Sequence, residues 1–218
     1  MRRYLTAFFI VLFGLVIRSP AQVCGPGCPV CSGTGASTGA LLPSRSLVAT
    51  GMAIPNGEDE TGVFNIRGGV TSWLDLGIGY GVKADKLIWS VRLQPLSEDE
   101  SSWRPAIILG TGSVQTGGSD QSLFVQVTKA FEFSEQFSAR FSLGMASLMP
   151  ELAKNYLLAG ITLTITEYLS PFVSYDGINY HAGLSWIPSN WLFITGYLVE
   201  MKYPAILVGY RMSFNDKN

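Results

Sequence analysis

Charge is scarce in this 218-residue sequence: Asp, Glu, Lys and Arg make up 14% of it, where a soluble globular domain carries roughly 25%. A surface held in water by ionised groups is therefore hard to build from it. The 15 Lys+Arg, set against 16 Asp+Glu, form no basic run. That excludes nucleic acid as a partner, because phosphates demand a basic footprint. With 47% hydrophobic residues, disorder is excluded too. Cysteine is confined to Cys24, Cys28 and Cys31, so the chain from residue 32 to residue 218 is not stapled by disulfides. Long apolar runs are missing after the N-terminus, so no helix of the roughly 20 residues a bilayer needs can form there. Without such a helix, the chain can enter a membrane only as a closed barrel, in which every backbone donor and acceptor finds a partner.

The first 21 residues read as a cleaved export signal. Arg2 and Arg3 give a positive start, Leu5 to Ile17 form an apolar run, and Ser19-Pro20-Ala21 offers small residues before a cut after Ala21. As a helix that run rises about 20 Å, too short for a hydrocarbon core of roughly 30 Å.

Residues 22–43 read as a flexible, Cys-bearing periplasmic arm, ending in SGTGASTGALLP. Its Cys24-x3-Cys28-x2-Cys31 spacing resembles that with which radical S-adenosylmethionine enzymes hold an iron-sulfur cluster. The string Gly25-Pro26-Gly27-Cys28-Pro29-Val30-Cys31 resembles a segment of the hydrogenase-maturation factor HypD. Both resemblances end with these residues, since no alternating βα pattern follows, and they are read as coincidental. Three thiols at this spacing allow a metal or Fe-S site, a disulfide plus one reactive thiol, or no special role. No other cofactor is expected.

From residue 44 the chain changes character. Leu74, Leu76, Ile78, Tyr80 and Val82 alternate with Asp75, Gly77, Gly79 and Gly81. Similar two-residue periods recur around 87–94, 137–145, 157–165, 180–186 and 206–214, and no comparable helical stripe appears. Turn formers such as Asn56-Gly57, Asp176-Gly177 and Pro188-Ser189-Asn190 punctuate the pattern. The strands expected are 44–54, 62–71, 73–83, 87–95, 104–114, 121–132, 137–146, 156–166, 169–176, 179–187, 191–199 and 204–214. These are twelve strands of the length a membrane barrel requires, or ten if the first and ninth are loops. The fold class is all-β, an antiparallel up-and-down transmembrane β-barrel over 44–214, followed by a polar tail, 215–218.

Alternation alone does not say which face is wet. The polar face is Gly, Ser and Thr with few charges, which suits a narrow lumen. Trp73, Trp103, Tyr156, Tyr168, Trp186, Trp191 and Tyr203 fall at strand ends, where interfacial aromatic belts are expected. The last strand, Ile206, Val208, Tyr210, Met212 and Phe214, resembles the C-terminal assembly signal of bacterial outer-membrane β-barrel proteins, with four further residues after the aromatic. The resemblance implies the bacterial outer membrane, with its lipid and the barrel-assembly machinery as partners; an envelope protein could be bound through the Cys arm.

Parity places Asn65, Arg67, Asp75, Arg92, Gln126, Arg140, His181 and Arg211 on the inner face. Arginine on the lipid face would cost roughly 2–4 kcal/mol near the midplane. Arg67, Arg92, Arg140 and Arg211 either favour anions in a pore or pair with acids such as Asp75 and Glu132 and fill the barrel centre. The connection 96–103 is longer than periplasmic turns tend to be, which puts register or orientation in question there. His181 is followed by Ala182 and Gly183 rather than by the His-x-Ser pair of an outer-membrane phospholipase, so no enzyme is expected. The function read from the sequence is a narrow passive channel or a structural envelope component. The alternative is an exported soluble β-sandwich or barrel that binds an apolar ligand or partner protein. A third reading makes the Cys arm a metal or redox centre for an envelope complex.

Overall fold

A computed structural model of the chain describes residues 41–214, apart from 59, 100, 101, 114–119, 135, 136, 153 and 167. Twelve strands follow one another: β1 Ser46–Ala53, β2 Gly62–Thr71, β3 Leu74–Gly81, β4 Lys86–Leu96, β5 Ala106–Ser113, β6 Gln121–Glu132, β7 Ser138–Leu148, β8 Asn155–Thr164, β9 Leu169–Tyr175, β10 Tyr180–Ser189, β11 Leu192–Val199 and β12 Tyr203–Ser213. Each pairs antiparallel with its sequence neighbours, and β1 pairs with β12, from Ser46 opposite Ser213 to Ala53 opposite Ile206. The barrel is closed and has no free edge. Both strands that the sequence left in doubt are needed: β1 makes the closure, and β9 bridges β8 and β10.

The register decides which face is apolar and outward. Leu76, Ile78, Leu87, Trp89, Leu143, Met145, Leu157, Val173, Leu184, Ile206 and Val208 are all exposed. Between the strand ends the outward positions carry one charged residue, Lys129, near the end of β6. Its ammonium turns to the rim, donating to the Asp99 and Ser102 carbonyls at 2.8 Å each. An apolar girdle running round the whole barrel far exceeds the patch of a few hundred Å² that a soluble monomer shows. It is the surface of a barrel that meets lipid, and the soluble alternative, with that face inward, does not have this geometry.

Trp73, Trp103, Tyr168, Trp186 and Trp191 are exposed around the rim that also carries the two ends of the described chain, here called the terminal rim. Two of the belt residues expected from sequence lie elsewhere. Tyr203 pairs with Val199 and Tyr156 with Ala146, all on inward register positions, and Tyr203 is buried. A strand-end aromatic joins the belt only if its parity is outward, and these two have the opposite parity.

The interior is packed. One cluster joins Leu42, Val48, Met52, Phe172, Phe193, Tyr197, Tyr203 and Leu207, and a second joins Leu41, Ile108, Phe124, Ala146 and Leu158. The inner face is therefore less uniformly small and polar than the sequence pattern implied. Three inward phenylalanines, Phe124, Phe172 and Phe193, stand directly opposite glycines on an adjacent strand: Gly110, Gly183 and Gly209. At Gly209 a Cβ would overlap the Phe193 ring. The missing side chain is the space the ring occupies.

Candidate functional site

The lumen gathers buried polar and charged side chains within the barrel. Its β2–β6 wall carries Asn65, Arg67, Asp75, Ser90, Arg92 and Gln126. Cross-strand register sets the key contacts: Asp75 stands opposite Arg92, and Arg67 opposite Gly77. The arm of Arg67 can therefore lie over a position with no side chain and reach Asp75, with which it pairs through Nη2 and Oδ2. Asp75 is fully buried, and the same Oδ2 accepts the backbone N–H of Leu42 at 3.2 Å. Arg92, buried, has its guanidinium 5.7 Å from the centroid of the Phe124 ring, within cation–π range. Two cations and one carboxylate thus share this part of the wall. Beside them a cavity of about 20 Å³ is lined by Asn65, Gly79, Ile88, Ser90, Arg92 and Gly112 among others, room for about one water.

Several buried polar atoms on the inner surface have no partner among the described residues: Ser90 Oγ, Thr50 Oγ1, Asp75 Oδ1 and both ends of the Gln126 amide. A buried group left unsatisfied costs about 1–3 kcal/mol. That penalty is relieved only where water reaches these atoms.

The remaining candidates sit apart from this cluster. Arg140, near the terminal rim, donates to Glu98 Oε2 at 3.0 Å and to the Thr128 hydroxyl at 3.4 Å. Glu98 Oε1 accepts the Ala130 N–H at 2.6 Å and lies 3.6 Å from Lys129 Nζ. The described part of the long 96–103 connection therefore folds back onto the terminal rim, and the β4–β5 register shifts just before it, between Leu93 and Leu96. The acid that meets Arg140 is Glu98; Glu132, the inward acid anticipated with Asp75, is exposed at the end of β6. Arg211 faces inward opposite Val48.

His181 belongs to the opposite rim and is fully buried. The Glu200 N–H donates to Nδ1 at 3.0 Å, so Nδ1 bears the lone pair and the proton is on Nε2, which donates to Asp176 Oδ2 at 2.8 Å. Both ring nitrogens are engaged, which leaves none to act as a base. Asp176 Oδ1 accepts from the backbone of Ile178 and Asn179 at 3.1 and 2.9 Å. The pair thus ties the β9–β10 turn to the β11–β12 turn. Burial pushes the Asp176 carboxyl up, but the hydrogen bonds from His181, Asn179 and Ile178 outweigh it and hold it below the ordinary aspartate value. A carboxyl depressed in the folded state stabilises that state above its unfolded pKa, about 3.9, and the contribution is lost as the pH falls through the folded value. Protection of the Ile178 and Asn179 amides, corrected for the intrinsic exchange rate, should hold from neutrality to below the unfolded value, about 3.9, and fall only as the pH drops through the lower folded value. Asp176→Asn should flatten that profile; a variant with the wild-type pH dependence would refute the assignment.

Two further carboxylates brace the same rim. Glu60, buried, accepts the backbone N–H groups of Thr61 at 3.0 Å, Gly62 at 3.4 Å, Ala84 at 3.2 Å, and Lys83. It locks the β1–β2 loop to the β3–β4 turn. Glu58 accepts from Tyr203 and, at 2.9 Å, from Lys202 Nζ, and these hydrogen bonds hold its carboxyl below the usual glutamate range.

Sequence parity therefore found the inward residues, and the structure brings Arg67, Asp75 and Arg92 together while leaving Arg140, His181 and Arg211 dispersed. It also adds Leu41, Leu42, Phe124, Glu98, Asp176 and Glu60. The sequence signs for these were faint: an overlong connection for Glu98 and a Leu pair in an otherwise small-residue stretch for Leu41 and Leu42. Cys24, Cys28 and Cys31 lie outside the described residues, as do the export signal and the polar tail.

A closed, nearest-neighbour barrel of twelve strands with an apolar exterior, aromatic rim and polar inward groups defines the class of outer-membrane-type β-barrels. Among solved structures the chain is similar to a KdgM porin, with a TM-score of 0.53 and 11% identity, over 78% of this chain and 99% of that one. The likeness is one of fold. No family model and no curated protein matches the sequence.

Proposed function

We propose that the protein is a bacterial outer-membrane β-barrel acting as a narrow passive channel, whose conducting path follows the polar β2–β6 wall. The observation that carries this reading is the set of buried inward polar atoms on that wall without a partner among the described residues, at Asp75, Ser90 and Gln126. A purely structural barrel has no reason to keep such groups, since apolar side chains of similar size fill a core without the penalty. Water admitted along this wall would satisfy them. The similarity in fold to a porin supports the same reading. A wide pore is not supported, because Phe124, Phe172, Phe193 and Tyr197 occupy the section.

The test is reconstitution of the folded protein, identified by heat-modifiable migration in unboiled gels, in planar lipid bilayers. Small discrete current steps are expected, with Arg67 and Arg92 against Asp75 biasing the reversal potential toward anions in a salt gradient. Arg92→Gln should weaken that bias. A folded barrel that carries no current, both as the wild type and with its interior loosened as described below, would leave only the structural role. A protein that purifies as a soluble monomer without detergent would overturn the membrane assignment itself.

A further inference from the structure

The residues just before β1 do not lead away from the barrel. Leu41 and Leu42 are 8% and 3% exposed, and they lie inside the lumen rather than in the medium beside it. Leu41 packs with Ile108, Phe124, Ala146 and Leu158 of β5 to β8, whereas Leu42 packs with Val48, Phe172, Phe193 and Leu207 in the cluster on the other side. Two adjacent leucines thus bridge opposite walls. The backbone follows: Arg45 N–H bonds the Gly69 carbonyl at the rim at 2.7 Å, the Pro43 carbonyl lies against Gly69, where a Cβ would overlap it, and Leu42 N–H reaches Asp75. Gly69 is the inward position that lets this segment pass.

We propose that Leu41–Pro43 is a displaceable plug that closes the lumen from the terminal rim, with Asp75 as its polar catch. This rests on the channel reading, of which it specifies the regulation. The physical basis is the contrast between how the plug and the wall are held. The wall is a continuous hydrogen-bonded ladder closed on itself. Among the described residues the plug is held by two inserted side chains, by the Leu42 N–H donating to a carboxylate that already serves Arg67, and by the Ser46 hydroxyl donating to the Pro43 carbonyl at 2.5 Å. It can leave without breaking a single strand pairing. When it leaves, Asp75 keeps Arg67, and the space of two leucyl side chains opens between the two apolar clusters of the lumen. At the opposite rim, by contrast, Glu60 ties the β1–β2 loop to the β3–β4 turn and the Asp176–His181 pair ties the β9–β10 turn to the β11–β12 turn.

The test compares full-length mature protein with the full-length double variant Leu41→Asp/Leu42→Asp in planar bilayers, each first shown to be heat-modifiable and therefore folded. Two carboxylates cannot remain in the apolar clusters, so the segment is expelled. Single-channel conductance or open probability is expected to rise at least about tenfold (on the order of 1.4 kcal/mol). If the aspartates prevent assembly, Leu41→Ala/Leu42→Ala, which shrinks the plug without charging it, should give a smaller rise in the same direction. Equal, measurable currents from wild type and folded variants would overturn the plug while leaving the channel standing. Silence from every folded form would instead overturn the channel, and the plug with it.

Discussion

Replacing Asp75 with alanine is expected to destabilise the folded barrel by about 3–5 kcal/mol, read as the shift in urea midpoint followed by tryptophan fluorescence in detergent micelles. Asp75 is fully buried and pairs with Arg67, which is itself nearly buried, while Arg92 stands directly opposite. A buried ion pair is no guarantee of stability, since desolvating both partners offsets much of their attraction. Removing one partner is another matter, because the remaining guanidinium stays in a poor solvent without its counter-charge. Here the loss falls on two arginines at once, and the Leu42 N–H loses its acceptor as well. Asp75→Asn separates these effects: the amide oxygen can still accept from Leu42, but the charge is gone. It should lie between wild type and alanine. Adding Arg67→Leu to Asp75→Ala should restore a substantial part of the loss, the signature of a coupled pair in a double-mutant cycle. An alanine variant within about 1 kcal/mol of wild type would show that the carboxylate is already served by water and that the pair is not structural.

The second large effect is expected at Phe193 and Gly209. Phe193→Ala should cost about 3–5 kcal/mol, the usual range for a large aromatic removed from a packed interior. Gly209→Ala should cost about 1–3 kcal/mol for the opposite reason, since its new methyl overlaps the ring and forces it from its place. In the double variant the methyl enters the space the ring has left. The two costs should therefore fall short of additivity by about 0.5–3 kcal/mol. Strict additivity, measured by the same unfolding titration, would mean that ring and glycine are not in contact in the folded protein. The same cross-strand arrangement at Phe172 with Gly183 and Phe124 with Gly110 makes these pairs a repeated device for filling a narrow cylinder from its own wall.

The barrel was legible in the sequence because strand parity and membrane thickness act locally. Where one face is small or polar and the other apolar, as in β3 with Leu74, Leu76 and Ile78 against Asp75, Gly77 and Gly79, the period of two is plain. Strand ends then follow from turn residues, and twelve segments of suitable length leave few ways to close. β11, Leu192–Val199, shows where this fails: Phe193 and Tyr197 point in, Ile194 and Leu198 point out, and both faces are apolar. A sequence pattern cannot show which of two greasy faces meets lipid. The same ambiguity hid the aromatic filling of the lumen and the inward parity of Tyr156 and Tyr203.

Of the candidate site, parity picked out the inward charges one by one, but not their partners. Arg67 and Arg92 converge on Asp75 because β2, β3 and β4 are adjacent hairpins, so nearness in sequence became nearness in space. Arg140 meets Glu98 across 42 residues, and His181 meets Glu200 across two turns. Leu42 reaches Asp75 only once the wall has curved round to enclose it.

Charge scarcity, an alternating pattern and the lack of a spanning helix were enough, by themselves, to determine an all-β chain of about twelve strands and to favour a barrel with its apolar face outward, because those constraints are properties of a single strand and of the lipid around it. Whether the cylinder is open or filled was decided only by tertiary structure. The interior is shared by all twelve strands and by the segment that precedes them, and no local period records what side chains from opposite walls do when they meet.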